Sequence, residues 1–352
     1  MSAEEKPTSL LILRPGALGD AVLTLPLLEA AIGAGVRRVA LLGTPASWRF
    51  LAQDASAPGP IELADMGGRD WLGLFGGSAG LGPPAQALVG RSEAGIVALG
   101  SGRVEIEAAL RRAGLQRLAG VTPAARGEAA APPPDADEFR SEPPAPGPGH
   151  AARRLLAALP ALGIAYDEEA LWRPRLLAAD ALLAIGEAER HAVSAALGLR
   201  PGEPLLVIHP GSGGGEKCWP AQDFAALAAA APRLGLRPVL LLGPSDEAAG
   251  EAVRRALPAA LDMPIMANRP LREVLALLSV ARVVVGNDSG ISHLAARATA
   301  VLALFGPSDP LVWRPLGARV ATLRAAHGRL AELTPHRVLQ ALERVLGALI
   351  EK

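Results

Sequence analysis

Short apolar runs that stop at glycine or proline turns and then give way to helical patterns recur along the chain. This alternation constrains the fold more than any other feature. Ser9–Leu13 is one such run, closed by Pro15-Gly16, and Arg38–Leu42 is another, closed by Gly43-Thr44-Pro45. Between them Gly19-Asp20 opens an apolar helix reaching about Ala34. Ile96–Leu99 reads as a further strand, and Val104–Ala113 as a helix capped by Gly114. His150–Leu162 reads as helix.

The pattern restarts at Leu205. Leu205–Ile208, Pro238–Leu242, Arg282–Val285 and Ala300–Phe305 read as strands, interleaved with helices over Asp223–Ala231, Glu247–Ala256, Leu271–Ser279 and Ile291–Arg297. An amphipathic helix over Pro335–Ile350 ends the chain. Strands alternating with helices in this way define doubly wound α/β units with parallel sheets. A chain of 352 residues accommodates two such units, each with its own core. The expected division is 1–170 and 171–352, with helix 335–350 crossing back to brace the first domain. Residues 122–150, rich in Pro, Ala, Gly and acids, are expected to be a long mobile loop.

Composition narrows the function. With 35 basic and 35 acidic residues the chain lacks the broad positive footprint of a nucleic-acid binder. One cysteine, Cys218, excludes an intrachain disulfide and a cysteine-rich zinc site. The first apolar run ends at Arg14, too soon for the apolar stretch of about 7–15 residues in a signal peptide. No uncharged apolar stretch approaches the roughly 18 residues of a membrane span. A cytoplasmic protein is expected, one that can still touch the inner membrane as a peripheral protein.

Three glycine-bearing loops follow strands and carry the chemistry. In Arg14-Pro15-Gly16-Ala17-Leu18-Gly19-Asp20, Gly16 and Gly19 let the backbone approach a ligand at a helix start. NAD is disfavoured, because its fingerprint requires an acid near the end of the second strand, and that strand ends Leu41-Leu42-Gly43-Thr44. Asp20 suits either a helix N-cap or a general base.

The second loop runs from Gly211 to Cys218. It resembles a phosphate loop, but Glu216 and Cys218 stand where a Walker motif needs Gly and Ser or Thr, which argues against ATPase activity. Backbone amides and the hydroxyl of Ser212 can still cradle a diphosphate while Lys217 neutralises it. The third loop, Gly286 to His293, offers Ser289 and the following amides to a second anion. Its sequence does not fit the G-x-S-x-G elbow of a serine hydrolase.

Taken in order, the stretches RPGALGDAVLTLPLL, HPGSGGGEKCWPAQDFAAL and VVVGNDSGISHLAARATAVLALFGPSDPLVW resemble glycosyltransferase family 9, the ADP-heptose:lipopolysaccharide heptosyltransferases. The resemblance implies a GT-B fold, two Rossmann-like domains facing a central cleft, with donor on the C-terminal side and acceptor on the N-terminal side. It implies inverting transfer without a metal or other cofactor. Heptose would come from ADP-heptose and go to a lipopolysaccharide-core glycolipid at the inner membrane surface.

By that resemblance Asp20 is the catalytic base, with Gly16 and Gly19 in the acceptor-side loop. Ser212, Gly213 and Lys217 hold the diphosphate. Glu247 holds the ribose, and Asp288, Ser289, Gly290 and His293 complete the donor site. The chain departs from the family in having only Arg69 and Arg91 as basic residues between positions 51 and 100. Two alternatives stand beside this expectation: a transferase with another donor sugar, and a catalytically degenerate nucleotide-binding or regulatory protein on the same fold.

Overall fold

A computed structural model describes residues 5–51, 61–76, 80–125, 137–140, 146–169 and 183–349. The chain divides into two compact units. One comprises 1–49, 53–126 and 146–173; the other comprises 50–52, 127–145 and 174–352. The boundary expected at 170–171 falls outside the described residues.

The first unit is built on a five-stranded parallel sheet, order β3-β2-β1-β4-β5. Its strands are β1 (Ser9–Leu13), β2 (Arg38–Gly43), β3 (Ile61–Asp65), β4 (Ala94–Ala98) and β5 (Leu118–Val121). β1 and β4 are buried at every position, which is why both read as continuous apolar runs. Helix α1 (Leu18–Gly33) follows β1, α2 (Pro83–Gly90) precedes β4, and α3 (Arg103–Arg112) follows it. One core joins Leu11, Leu13, Ala40, Leu42 and Val97 of the sheet to Leu88 and Val89 of α2 and to Ile106 and Leu110 of α3. A 3-10 turn, Arg69–Leu74, adds Trp71 and Leu74.

The helix expected over 150–162 is two short ones, α4 (Ala151–Leu156) and α5 (Ala158–Ala161). Pro160 has no N–H to offer the preceding turn, and the helix breaks at Ala157.

The second unit carries a seven-stranded sheet, order β6-β12-β11-β10-β7-β8-β9. The strands are β6 (Glu138–Arg140), β7 (Leu205–His209), β8 (Arg237–Leu242), β9 (Ile265–Ala267), β10 (Val283–Asn287), β11 (Ala300–Phe305) and β12 (Val320–Arg324). All neighbours are parallel except β6 and β12. The helices are α6 (Glu187–Ala196), α7 (Ala221–Ala230), α8 (Glu247–Ala256), α9 (Leu271–Val280), α10 (Gly290–Ala296), α11 (Pro310–Trp313) and α12 (Pro335–Ala348).

One expectation needs correction. Within 122–150, residues 126–136 and 141–145 lie outside the described residues, but Glu138–Arg140 is an ordered edge strand rather than loop. Phe139 packs on the second core, with the Arg344 guanidinium 5.3 Å above its ring, and this anchors the strand against β12. The terminal helix α12 buries Val338, Ala341, Leu342 and Val345 in the core of its own unit, against α7, β11 and β12. That packing accounts for its apolar stripe.

Candidate active site

In each sheet the loops leaving the carboxyl ends of the parallel strands gather the polar groups. In the first unit β1 hands over to α1 through Arg14–Ala17. Gly16 takes φ 148, and a Cβ there would stand 2.6 Å from Asp20 Oδ2, so the turn requires glycine. Ser47 Oγ donates to the Gly16 carbonyl at 2.9 Å. Gly19 lies in the first turn of α1.

Asp20 is not the N-cap; Ala17 is. Asp20 is the third helical residue, and its Oδ2 accepts from the Ala17 N–H at 3.1 Å, closing the helix start from inside. Its Oδ1 accepts from Arg14 Nη2 at 2.7 Å. The Arg14 side chain is only 8% exposed while Asp20 retains 25%, so a buried cation holds a carboxylate that still reaches solvent. Burial draws the Arg14 guanidinium below its ordinary value, with Asp20 opposing.

In the second unit three loops meet. Asn287, fully buried at the end of β10, clamps both ends of the loop after β7. Its Nδ2 donates to Pro210 O at 2.8 Å and its Oδ1 accepts from Trp219 N at 3.0 Å. Trp219 is locked in turn by Nε1 donating to Leu333 O at 2.7 Å and by a T-shaped contact with Phe224, centroids 4.8 Å apart.

Asp288 is the hub. Lys217 Nζ donates to its Oδ2 at 2.8 Å, Ser308 Oγ donates to the same oxygen at 2.7 Å, and Ser212 Oγ donates to its carbonyl at 2.7 Å. His293, buried on α10, places Nε2 4.0 Å from Asp288 Oδ1, beyond hydrogen-bond length. Ser289 caps α10 by accepting from Ser292 N, and Gly290 is the first helical residue. Ser292 Oγ donates back to Asn287 O at 2.6 Å. Gly213 is exposed, with open space where a Cβ would stand.

The loop after β8 braces this arrangement. Asp246 Oδ2 accepts from Gly243 N at 2.7 Å, and a Cβ on Gly211 would lie 2.0 Å from Asp246 Oδ1. Only glycine at 211 lets the two loops close on each other. Buried His209 places Nδ1 3.0 Å from Leu241 O and 3.8 Å from Asp246 Oδ2. Burial lowers its affinity for a proton, with Asp246 opposing. Cys218 is shifted the other way, since burial and then the charges of Asp246 and Glu216 raise its thiol, which stays protonated at neutral pH. Glu247 opens α8 with its side chain exposed.

Ser212, Lys217, Asp288, Ser289, Gly290 and His293 thus come together, while Glu247 lies one loop away beside Asp246. The expectation missed Arg14, Asp246 and Ser308. All three stand inside or next to the loops it singled out, but a serine or an ion-pair partner leaves no spacing signature. It also missed the segment behind Ser308. There Asp309 caps α11 by accepting from Leu311 N at 2.8 Å, and burial pushes the Arg314 guanidinium down to about 10. Among the described residues no group of three or more His, Cys, Asp or Glu side chains is placed to hold a metal ion.

Two Rossmann-like units with ligand loops at the carboxyl edges of their sheets make up a GT-B fold. Solved structures share it. E. coli ADP-heptose lipopolysaccharide heptosyltransferase II superposes with TM-score 0.69 at 21% identity, covering 96% of this chain and 98% of that one. A glycosyl transferase of family 9 from Veillonella parvula superposes with TM-score 0.70 at 19% identity, covering 98% of each.

The sequence model of glycosyltransferase family 9 (heptosyltransferase) matches residues 169–342, and this stretch of the chain belongs to that family. Lipooligosaccharide heptosyltransferase 2 of Haemophilus influenzae is 32% identical over 135 residues, 37% of this chain and 39% of that protein. Lipopolysaccharide heptosyltransferase 2 of Salmonella typhimurium is 28% identical over 209 residues, 53% of this chain and 60% of that protein. The sequence matches thus span between about two fifths and three fifths of these relatives.

Proposed function

We propose that the chain is an inverting, metal-independent glycosyltransferase that moves heptose from ADP-heptose to a lipopolysaccharide-core glycolipid at the cytoplasmic face of the inner membrane. The observation that carries this is the joint hold of Lys217, Ser308 and Ser212 on Asp288, on loops leaving β7, β10 and β11. A diphosphate arriving there meets an ammonium already in place, the Ser212 and Ser289 hydroxyls, and the amides opening α10.

The chemistry follows from charge and proton balance. The bond between the sugar's anomeric carbon and the β-phosphate oxygen breaks, and ADP leaves with its electron pair. Lys217, drawn from Asp288 toward the diphosphate, neutralises the charge that develops on it. The acceptor hydroxyl oxygen forms the new bond to the anomeric carbon and gives its proton to Asp20, whose carboxylate Arg14 and the Ala17 N–H hold in one orientation. His293 would keep Asp288 in place, and Glu247 would bind the ribose hydroxyls. Gly213 and Gly290 leave room for the phosphates, while Gly16 and Gly19 do so for the acceptor.

Calorimetric titration with ADP, UDP and GDP in the presence of EDTA tests the donor half. Selective ADP binding is expected. Preference for UDP or GDP would keep the transferase and replace heptose as the donor sugar. Binding of none of them, by folded protein, would overturn the nucleotide-sugar donor.

A further inference from the structure

The charges of the first unit are sorted between the two edges of its sheet. Lys6, Arg37, Arg38, Arg91 and Arg117 stand at, or within three residues before, the starts of β1, β2, β4 and β5. Of the acids near them, Glu62 pairs with Arg91, Glu93 accepts from Thr8 N, and Glu5 is exposed, so this amino edge keeps a cationic excess. β1 and β4 are five residues long. At about 3.3 Å per residue this sets the amino and carboxyl edges roughly 15 Å apart. A Debye length is about 8 Å at physiological salt, so these cations contribute little field at the far edge.

The carboxyl edge, which carries Asp20, is one connected surface. Ser47 ties the loop after β2 to Gly16, and Met66 N donates to Gly43 O at 2.9 Å, joining the ends of β3 and β2. Here the balance runs the other way. Asp20 is matched by Arg14, and Glu107 by Arg103 at 2.8 Å. Two cations remain, Arg49 after β2 and Arg69 after β3, both exposed and without a side-chain partner among the described residues. Three carboxylates face them: Asp65 at the end of β3, Asp70 in the turn that follows, and Glu105 in the first turn of α3. Asp65 and Glu105 are exposed, and Asp65 commits one oxygen to Gly67 N at 2.9 Å. Outside the described residues the sequence of the adjoining connections adds Asp54, Arg126, Glu128 and Asp135, a further excess of acid.

We propose that the sugar accepted at this edge is uncharged beside its reacting hydroxyl, bearing neither phosphate nor carboxylate there. Exposed carboxylate oxygens accept from sugar hydroxyls, and the guanidinium groups of Arg49 and Arg69 donate to hydroxyl oxygens. A phosphate brought to the same place meets Asp65, Asp70 and Glu105 with only Arg49 and Arg69 to offset them. Like charges placed together are a means by which a site rejects a competing ligand. This acceptor class rests on the glycosyltransferase function and narrows it.

Steady-state kinetics of the full chain with ADP-heptose and a pair of acceptors test it. One is a heptose-deficient core oligosaccharide phosphorylated on the acceptor sugar, the other the same oligosaccharide after enzymatic dephosphorylation. The dephosphorylated acceptor is expected to have the higher kcat/KM by about tenfold or more. The gap is expected to narrow as salt rises from about 20 mM to about 500 mM. Asp65→Asn/Glu105→Gln is expected to narrow it as well, by improving use of the phosphorylated acceptor. Equal use of the two acceptors, or preference for the phosphorylated one, overturns the acceptor class and leaves transfer intact. A gap that neither salt nor the double variant changes also overturns it, since shape rather than charge would then exclude the phosphate. Turnover of neither acceptor, by protein that binds ADP, overturns the transferase function and the acceptor class with it.

Discussion

Lys217 and Asp288, 71 positions apart in sequence, form an ion pair of 2.8 Å across two loops of the second unit, with the lysine side chain 30% exposed and the aspartate 9%. The lysine is thus pre-positioned by a buried partner and open to a ligand on its other side. Lys217→Ala is expected to weaken ADP binding by about 1.5–3 kcal/mol, the usual worth of a charge-assisted hydrogen bond. Calorimetry checks it, and unchanged affinity removes Lys217 from the donor site.

Ser308 shares Asp288 Oδ2 with Lys217, so it positions the pair without touching the reacting atoms. Ser308→Ala is expected to raise the donor KM about three- to tenfold, the equivalent of roughly 1 kcal/mol, with kcat nearly unchanged. A loss in kcat alone contradicts a positioning role.

Asp20→Asn keeps the size of the side chain and removes its capacity as a base. Donor binding should persist while turnover falls by about 10²–10⁴. Single-turnover kinetics with bound ADP-sugar separates the two. Normal turnover would return Asp20 to closing the start of α1.

His209 sets a pH dependence. Burial holds its folded-state proton affinity below that of the unfolded chain, so the unfolded state binds the extra proton. The stability tied to neutral His209 is complete above the unfolded value of 6.5 and is lost as pH falls below it toward the folded value. Urea melts between neutral and mildly acid pH should show a steeper loss for wild type than for His209→Gln. Parallel curves contradict it.

Gly211→Ala forces a methyl group onto the Asp246 carboxylate, and the expected cost is about 1–3 kcal/mol of stability together with weaker ADP binding. Thermal melting with and without ADP reads both. A stable variant with full affinity would show that the loop has room to move.

The strands beneath the loops are legible in sequence because β1, β7, β10 and β11 are buried along their whole length and each ends at or beside a glycine or proline turn. β3 is hidden because it is an edge strand with two acids in five residues, and β6 and β9 because they are three residues each. β12 carries Thr322 and Arg324 and lacks a glycine stop. The phosphate-loop glycines, Lys217 and Asp288 announce themselves by position after strands. The holds on them by Asn287, Ser308 and Asp246 join residues far apart in the chain, and no local spacing encodes such contacts.

The most direct measurement is transfer itself. The purified chain is incubated in EDTA with ADP-heptose and a heptose-deficient lipopolysaccharide core, and the acceptor is read by mass spectrometry alongside ADP release. Addition of one heptose with one ADP released per acceptor is expected. Folded protein that binds ADP yet leaves the acceptor unchanged, with no ADP released, contradicts the assignment.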